Sequence, residues 1–174
     1  MATVTDLIPD VTNYLVAQCQ ANASLGAANP PVTVMDGPTT PGEPLTTPQQ
    51  IWIGYDAVTP QPESAPQGDG TQAFSFLGQS GGYRDENGTI ICTAQAWNGD
   101  VNPATARAQC KAVVGAVEVM LRGAPATGGP GDSSMGGLVQ WSQVERTAWY
   151  QRKDQGGYSA MCVFDVTFFA RLTP

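Results

Sequence analysis

The sequence predicts an α+β fold: a mostly antiparallel sheet with a long C-terminal β-hairpin, flanked by an N-terminal helix and one central helix. Three observations support this fold class. Residues 5–22 carry apolar side chains at helical spacing, and residues 103–122 form an apolar stripe between a proline and a glycine. Residues 139–172 alternate between apolar and polar side chains on both sides of a glycine-rich turn, which is typical of a hairpin.

The chain has the length of one domain. Its 174 residues show no composition shift that would mark a boundary, so we expect a single domain over residues 1–174. Long loops rich in proline, glycine and threonine are expected at about 36–50, 57–71 and 124–137. A loop as long as the last one is often functional, and we expect part of it to be disordered in the free protein and ordered against a partner.

The first third of the chain predicts a helix followed by short strands. Thr5 and Asp6 can cap a helix that continues to about Asn22. The apolar face of this helix contains Leu7, Val11, Tyr14, Leu15 and Cys19. The segment from Gly26 to Pro31 separates the helix from the strands, because proline cannot continue a helix. Short strands are expected at 32–35, 51–55 and 73–77.

The middle of the chain predicts a turn and then a strand. Residues 79–87 are polar and rich in glycine, and the Asn87-Gly88 pair at their end is a strong signal for a hairpin turn. Residues 89–97 then alternate in polarity. One face of this strand is expected to carry Ile90, Cys92, Ala94 and Ala96. The other face is expected to carry Ile91, Thr93, Gln95 and Trp97.

The central helix has a defined start and end in the sequence. Asn102 can cap it and Pro103 suits its first position, because proline lacks the N–H that would be unsatisfied there. Gly123 follows Arg122 and ends the helix. The buried stripe is expected to contain Ala106, Cys110, Val113, Val117, Met120 and Leu121.

The end of the chain predicts a long hairpin, with arms at 139–152 and 158–172 and a turn at 153–157. One face of the second arm is expected to carry Cys162, Phe164, Val166, Phe168 and Ala170. Because Phe169 places an aromatic ring on the opposite face as well, we expect this strand to lie centrally or against a neighbour.

The chain is acidic and carries few charges. Charged residues make up 13% of the sequence, and the net charge is −7. The low Lys and Arg content argues against a general nucleic-acid binder. An acidic protein can nevertheless lie next to moving DNA without binding it. An uncharged polar surface is easily desolvated, which suits burial against partners; a secreted protein with a polar surface fits the composition as well. No apolar run is long enough to span a membrane.

The sequence contains no complete catalytic or metal-binding motif. Histidine is absent, which excludes Ser–His and Cys–His pairs and histidine-ligated zinc. The carboxylates at Asp36, Asp56 and Asp85-Glu86 occupy positions typical of turns, and residues 78–82 lack the Lys-Ser/Thr ending of a phosphate-binding loop. We therefore expect no enzyme activity, no cofactor and no metal, with a carboxylate-based enzyme as a remote alternative.

The four cysteines are scattered singly through predicted helices and strands. They are Cys19, Cys92, Cys110 and Cys162. The first ten residues lack the basic and apolar regions of a secretory signal, and scattered cysteines do not suit a four-cysteine metal site. We therefore expect reduced thiols in the core rather than disulfides.

The first arm of the hairpin is the candidate interaction site. Trp141 and Trp149 lie on it with Gln143, Glu145 and Arg146 between them, and aromatic residues mixed with arginine are typical of interface hot spots. Stacking on single-stranded nucleic acid is a poorer alternative, because the chain is acidic. The full set of predicted interface residues adds Arg152, Lys153, Met135 and Asp132.

The order of these elements resembles that of the tail terminator proteins of long-tailed bacteriophages, particularly those of actinobacterial phages. The resemblance covers most of the chain and includes three short segments: Val32–Pro38 (VTVMDGP), Ile51–Tyr55 (IWIGY) and Val163–Arg171 (VFDVTFFAR). It implies a small α+β fold with an antiparallel sheet flanked by helices. The long loops at 57–71 and 124–137 are additions to a minimal member of that family.

The resemblance implies a structural virion protein. Its copies would form a ring of about six that sits on the finished tail tube, ends tube polymerisation and meets the head connector or stopper protein. DNA would pass through the bore without sequence-specific binding. The protein would be assembled in the host cytoplasm and located in the virion neck. Another neck or tail-completion protein, and a monomeric non-catalytic binding module for sugars or peptides with disulfides, stay open as alternatives.

Overall fold

The computed structural model describes residues 6–38, 47–57, 68–75, 83–99, 102–122, 131–154 and 156–172. Within these ranges the chain forms three helices: α1 (Ile8–Ala21), α2 (Ala23–Gly26) and α3 (Pro103–Arg122). The same ranges contain six strands: β1 (Thr33–Asp36), β2 (Gln49–Ile53), β3 (Gly68–Ser75), β4 (Tyr83–Asn98), β5 (Trp141–Asp154) and β6 (Gly157–Leu172). The fold class is α+β, as predicted.

All six strands belong to one sheet in which β4 is the central element. The main strand order is β1-β2-β4-β6-β5, and β3 also pairs with β4. Strand β6 pairs along the full length of β4, from Arg84 to Asn98, while β2 and β3 share the other edge of β4. Only the β1–β2 pair is parallel in the part of the chain described. Strand β5 is therefore an edge strand, and it forms the predicted C-terminal hairpin with β6.

The three helices pack on one face of this sheet, which we call the inner face. Their buried side chains form a single apolar cluster with the inner-face residues of the strands. From β4 and β6 this cluster includes Ile90, Cys92, Ala94, Ala96, Cys162, Phe164, Val166, Phe168 and Ala170. The predicted apolar faces of both strands are thus confirmed, because alternating side chains in a strand point to opposite faces.

The opposite face of the sheet, the outer face, has no helix over it among the elements described. Its residues at the centre of the sheet are Ile91, Thr93, Gln95, Val163, Asp165, Thr167 and Phe169. None of these residues belongs to the apolar cluster beneath the helices. Within the described residues the chain therefore forms two layers, a helix layer and a sheet. No described helix packs on the outer face, whose side chains are half-buried at Ile91, Val163 and Phe169 and buried at Thr93 and Gln95.

The two long helices agree with their sequence signals. Helix α3 begins at Pro103 and ends at Arg122, and the Ala104 N–H donates to Asn102 Oδ1 at 2.9 Å, as a capping asparagine requires. Its predicted stripe is buried except for Met120, which is half-buried, and Val114 is also buried. The predicted face of α1 is confirmed as well; Asp6 accepts the Ile8 N–H at 2.9 Å, while Thr5 lies outside the described residues.

Three predicted boundaries are wrong. Strand β3 begins at Gly68, inside the predicted loop 57–71, and the hairpin turn is shorter than 153–157 because Asp154 pairs directly with Gly157. Asn87 and Gly88 form no turn and lie within β4. The reason is tertiary: a Cβ at position 88 would overlap the ring of Phe168 on the neighbouring strand. Glycine is needed there to admit an aromatic ring, which local turn propensity does not reveal.

Candidate interaction surface

Strand β5 carries the exposed aromatic side chains that the sequence predicted for an interface. Trp141 is 42% exposed, Trp149 48% and Tyr150 44%. Because β5 is the edge of the sheet, its outer backbone groups have no neighbouring strand in the described part of the chain. Large aromatic side chains on an open edge are typical of surfaces that contact another protein.

A β-bulge divides this strand into two parts. Val144 pairs with Val166 and Thr147 with Phe164, so β5 contains one extra residue between the two pairs. The extra residue reverses which face each later side chain occupies. Trp141 therefore lies on the outer face, whereas Trp149 lies on the face that carries the helices. The two predicted interface tryptophans therefore lie on opposite faces of the sheet.

Trp141 is held in place by a chain of contacts on the outer face. Its ring stacks on Phe169, with a centroid separation of 6.2 Å and an interplanar angle of 22°. The guanidinium of Arg171 lies 6.0 Å from the centre of the Phe169 ring, and it donates to both carboxylate oxygens of Asp85 at 2.7 and 2.9 Å. The hydrogen bonds from Arg171 lower the pKa of Asp85. A tryptophan supported in this way loses little entropy when it binds a partner.

A depression of about 290 Å³ lies beside Trp141 on the outer face. We call it the Trp141 depression; it is lined by Gly70, Thr71, Asn87, Gly88, Thr89, Trp141, Glu145, Thr167 and Phe168. The Gln143 side-chain amide donates to Glu145 Oε1 at 3.0 Å. The hydroxyl oxygen of Thr167 is buried and has no hydrogen-bond partner among the residues described. The structure thus places the predicted residues Trp141 and Glu145 at one depression, with Gln143 hydrogen-bonded to Glu145.

The remaining predicted residues of β5 lie apart from that depression. Lys153 lies over the Tyr158 ring, with 5.4 Å between its ammonium and the ring centre. Arg152 is exposed near the tip of the hairpin, and Gln151 accepts a hydrogen bond of 3.0 Å from Arg107 on α3. The Arg146 side chain lies outside the described part of the structure. These positions form a second, separate surface at the other end of the strand.

The side chains of Met135 and Asp132 make their contacts within the chain. Met135 is fully buried in the apolar core, so its predicted place in an exposed interface is wrong. Asp132 accepts hydrogen bonds from the backbone N–H and the hydroxyl of Ser134 and from the Gly136 N–H. This network folds the end of the predicted loop 124–137 onto the subunit. Residues 124–130, for which we predicted partial disorder, lie outside the described residues.

The network around Asp132 predicts an acid-sensitive contribution to stability. Its hydrogen bonds, first from the Ser134 hydroxyl and then from the Gly136 N–H, lower the pKa of the Asp132 carboxyl below its ordinary value of 3.8. A lowered pKa in the folded state contributes stability that is fully present above the ordinary value of 3.8 and is lost as the pH falls through the lowered folded-state value. We expect Asp132→Asn to lower the urea midpoint at pH 7 and to lower it less at pH 3. Asp10→Asn, at an exposed site on α1, is the matched control; equal losses for Asp132→Asn at both pH values would contradict the prediction.

The two adjacent carboxylates of β4 point to opposite faces and do not form a catalytic pair. Asp85 binds Arg171 on the outer face, whereas Glu86 is 1% exposed beneath the helix layer. Glu86 Oε1 accepts the Leu7 N–H at 2.8 Å, and its other oxygen lies 3.6 Å from Arg84. The predicted turn role of this pair is wrong, since both residues lie inside a strand. Sequence reasoning missed the role of Glu86 because its partner lies 79 residues away.

All four cysteines are free and buried, as predicted. Burial raises the pKa of Cys19 and of Cys110 to about 12 and that of Cys162 to about 11, and it also raises the pKa of Cys92. A thiol with so high a pKa is present almost entirely in its unreactive protonated form at neutral pH.

The cysteines are therefore expected to be inert in the native protein. We expect an aromatic disulfide reagent at pH 8 to modify fewer than one thiol per folded chain and all four after unfolding in guanidinium, because unfolding removes the burial that raises the pKa. Absorbance of the released thiolate gives the count. Fewer than four thiols after unfolding under non-reducing conditions would contradict the assignment of free cysteines.

The described residues set limits on the chemistry that this surface offers. No group of three or more His, Cys, Asp or Glu side chains there is arranged to hold a metal ion. The helices within those residues fall short of the length and apolar character needed to cross a membrane. No protein-family model matches the chain, and no curated protein matches it significantly. The chemistry available at this surface is therefore apolar contact, aromatic stacking and hydrogen bonding to a carboxylate and several hydroxyls.

Proposed function

We propose that this protein is a structural virion protein, the tail terminator of a long-tailed bacteriophage. About six copies form a ring that caps the tail tube and ends its polymerisation. The ring also joins the tail to the head connector or stopper protein, and DNA passes through its bore. The protein is assembled in the host cytoplasm and is then part of the virion neck. The proposal combines the resemblance in element order with the surface described above.

The observation that carries the proposal is the open edge at β5 with its exposed aromatic side chains, beside an outer face that no described helix covers. A solvated face of an antiparallel sheet is normally polar. Here the outer face carries Ile91, Val163 and Phe169 at its centre, with Trp141 exposed at its margin. Apolar and aromatic area of this kind is seldom left uncovered in a monomer. Coverage by further copies of the same chain accounts for it.

The two-layer architecture suits a ring. A contact between the outer sheet face of one copy and the helix layer of the next uses two different surfaces. Each added copy therefore presents one free surface to which a further copy can bind. Such head-to-tail contacts close into a ring when the rotation per copy permits. They would also give each sheet a second layer of helices, as in three-layer folds.

The charge of the chain supports passage of DNA through a bore. The net charge is −7, and only eight residues are lysine or arginine. A surface without clustered cations gives little affinity for phosphate, so DNA can move past it. The same property argues against a protein that holds nucleic acid.

The alternative classes have less support. A secreted binding module was expected to contain disulfides, whereas all four cysteines are free and buried. A carboxylate-based enzyme was expected to bring two acids together, whereas Asp85 binds Arg171 and Glu86 caps α1. Another neck or tail-completion protein would present a similar surface but would bind a different partner. The experiment below distinguishes the two by the partner bound.

The molar mass of the protein in solution tests the proposed assembly directly. We expect light scattering over a concentration series to detect either a species of about six copies or a monomer that assembles when isolated tail tubes are added. Electron microscopy of that mixture should then show rings at one end of tubes of uniform length. Binding to a head connector without any effect on tube growth would indicate a different neck protein. A monomer at every concentration that ignores tubes would contradict the proposal.

Trp141 provides the test by mutation. We expect Trp141→Ala to weaken assembly by about 30-fold or more, because a supported, exposed tryptophan is typical of a hot spot, while the thermal midpoint changes little. Trp149→Ala is the comparison variant: it removes an equally exposed tryptophan of the same strand, which lies on the helix side of the sheet and outside the Trp141 depression. Analytical ultracentrifugation gives both dissociation constants. A loss from Trp141→Ala no larger than that from Trp149→Ala would contradict the hot-spot role of Trp141.

A further inference from the structure

We infer that the Trp141 depression is a socket for the Lys111 side chain of a neighbouring copy of this chain. The inference rests on the proposed ring, and it assigns one polar contact to the interface between successive copies. Lys111 lies on α3, in the helix layer, and the socket lies on the outer sheet face. The contact therefore joins the two different surfaces that a ring must bring together.

The lining of the socket suits an ammonium group. Glu145 supplies a carboxylate, held by the Gln143 amide, and it forms no ion pair with any described side chain. Trp141 supplies the face of an aromatic ring, which attracts a cation. An ammonium can donate to the Glu145 carboxylate while it lies against the Trp141 ring.

The other cations of the chain are mostly engaged within the subunit. Among the side chains described, five cations contact a partner: Arg84 contacts Glu86, Arg107 contacts Gln151, Arg122 contacts Glu118, Arg171 contacts Asp85, and Lys153 lies over the ring of Tyr158. Lys111 and Arg152 have no such contact within the described residues. Among the cations whose side chains the structure describes, these two are therefore the ones available to a neighbour.

The positions of Lys111 and Arg152 in the fold indicate which of them can enter the socket of a neighbouring copy in a ring. Arg152 pairs with Ser159 beyond the bulge, at a position on the outer face, the same face as the socket. A contact from Arg152 into the socket would set two outer faces against each other and produce a two-fold dimer. Lys111 lies on the solvent side of α3 with exposed Ala108 and Ala112 beside it. Such small neighbours allow a sheet face to approach the helix closely, and only Lys111 gives a head-to-tail contact.

Charge exchange between the two positions tests the inference. We expect Glu145→Lys to abolish assembly of the full-length protein and the double variant Glu145→Lys/Lys111→Glu to restore it, as measured by sedimentation over a concentration series. Asp10→Lys, an equal charge change at an exposed site on α1, is the control and should assemble normally. Glu145 is exposed, so circular dichroism and thermal midpoints of all variants should match those of the unmodified protein.

A neutral pair of variants gives a second, milder measurement. Glu145→Gln and Lys111→Gln are each expected to weaken assembly by about tenfold, and the combined variant should be no weaker than either one alone. Added salt should weaken assembly of the unmodified protein more than that of Glu145→Gln, because the contact is between charges.

The outcomes separate the inference from the proposed function. Restoration by Arg152→Glu instead of Lys111→Glu would overturn the assignment of Lys111 and indicate a two-fold contact. Unchanged assembly of Glu145→Lys would overturn the socket while the ring itself stands. Failure of the unmodified protein to assemble, alone or on tail tubes, would overturn the proposed function and this inference with it.

Discussion

Gly88→Ala is expected to lower the free energy of unfolding by about 3 kcal/mol, the upper end of the usual cost of overpacking a core. A Cβ at this position would overlap three atoms of the Phe168 ring. Phe168 is 1% exposed and belongs to the apolar cluster beneath the helices, so its ring has little room to move away. Urea denaturation at neutral pH measures the loss.

A double-variant cycle identifies the cause of this loss. Phe168→Ala alone should cost about 3–5 kcal/mol, because it leaves a cavity. Once the ring is absent, Gly88→Ala should cost much less than it does in the unmodified protein. Gly115→Ala is the control: no atom lies within 4 Å of a Cβ there, so alanine should be neutral or stabilising in helix α3. An equal loss from Gly88→Ala with and without Phe168 would exclude the ring contact as its cause.

Glu86→Ala is the second change with a large expected effect, a loss of about 3 kcal/mol in the free energy of unfolding. The carboxylate caps helix α1 from the centre of the sheet through its 2.8 Å hydrogen bond with the Leu7 N–H. Alanine would leave that buried donor without its acceptor and remove the carboxylate that lies 3.6 Å from Arg84. A negative charge at a helix N-terminus is also favourable, and that contribution would be lost.

The loss should appear first at the start of α1. Hydrogen exchange of the Leu7 and Val11 amides should become faster in Glu86→Ala, because the first turn is no longer held to β4. Glu86→Gln keeps an oxygen acceptor at the same position and should lose less stability. Glu118→Ala, which removes a partly exposed carboxylate from a surface ion pair, is the control and should change stability by at most about 0.5 kcal/mol. A loss from Glu118→Ala as large as that from Glu86→Ala would contradict a special role for Glu86.

Much of the secondary structure could be predicted from local chemistry. The bounds of α3 agree with Asn102, Pro103 and Arg122, because capping and proline placement depend on neighbouring residues alone. The alternation in β6 identified its buried face, from Cys162 to Ala170, because side chains of a strand alternate whatever its partners are.

The candidate site could be predicted only in part. Exposure of Trp141 and Trp149 on the first hairpin arm agrees with the sequence interpretation. Their separation onto opposite faces was not foreseen, because the bulge between Val144 and Thr147 is defined only once β5 is paired with β6. The burial of Met135 was likewise hidden, because a loop rich in glycine carries no periodic pattern that would indicate a buried side chain.

The sequence by itself determined the fold class, the apolar faces of α1, α3, β4 and β6, and the reduced state of the cysteines. These features depend on residue periodicity, capping and composition, which are local. The tertiary structure alone decided that Gly88 admits Phe168, that Glu86 caps a helix 79 residues away, and that the bulge places Trp141 and Trp149 on opposite faces. Each of these depends on contact between residues far apart in the chain, and such contacts exist only once the strands and helices have packed together.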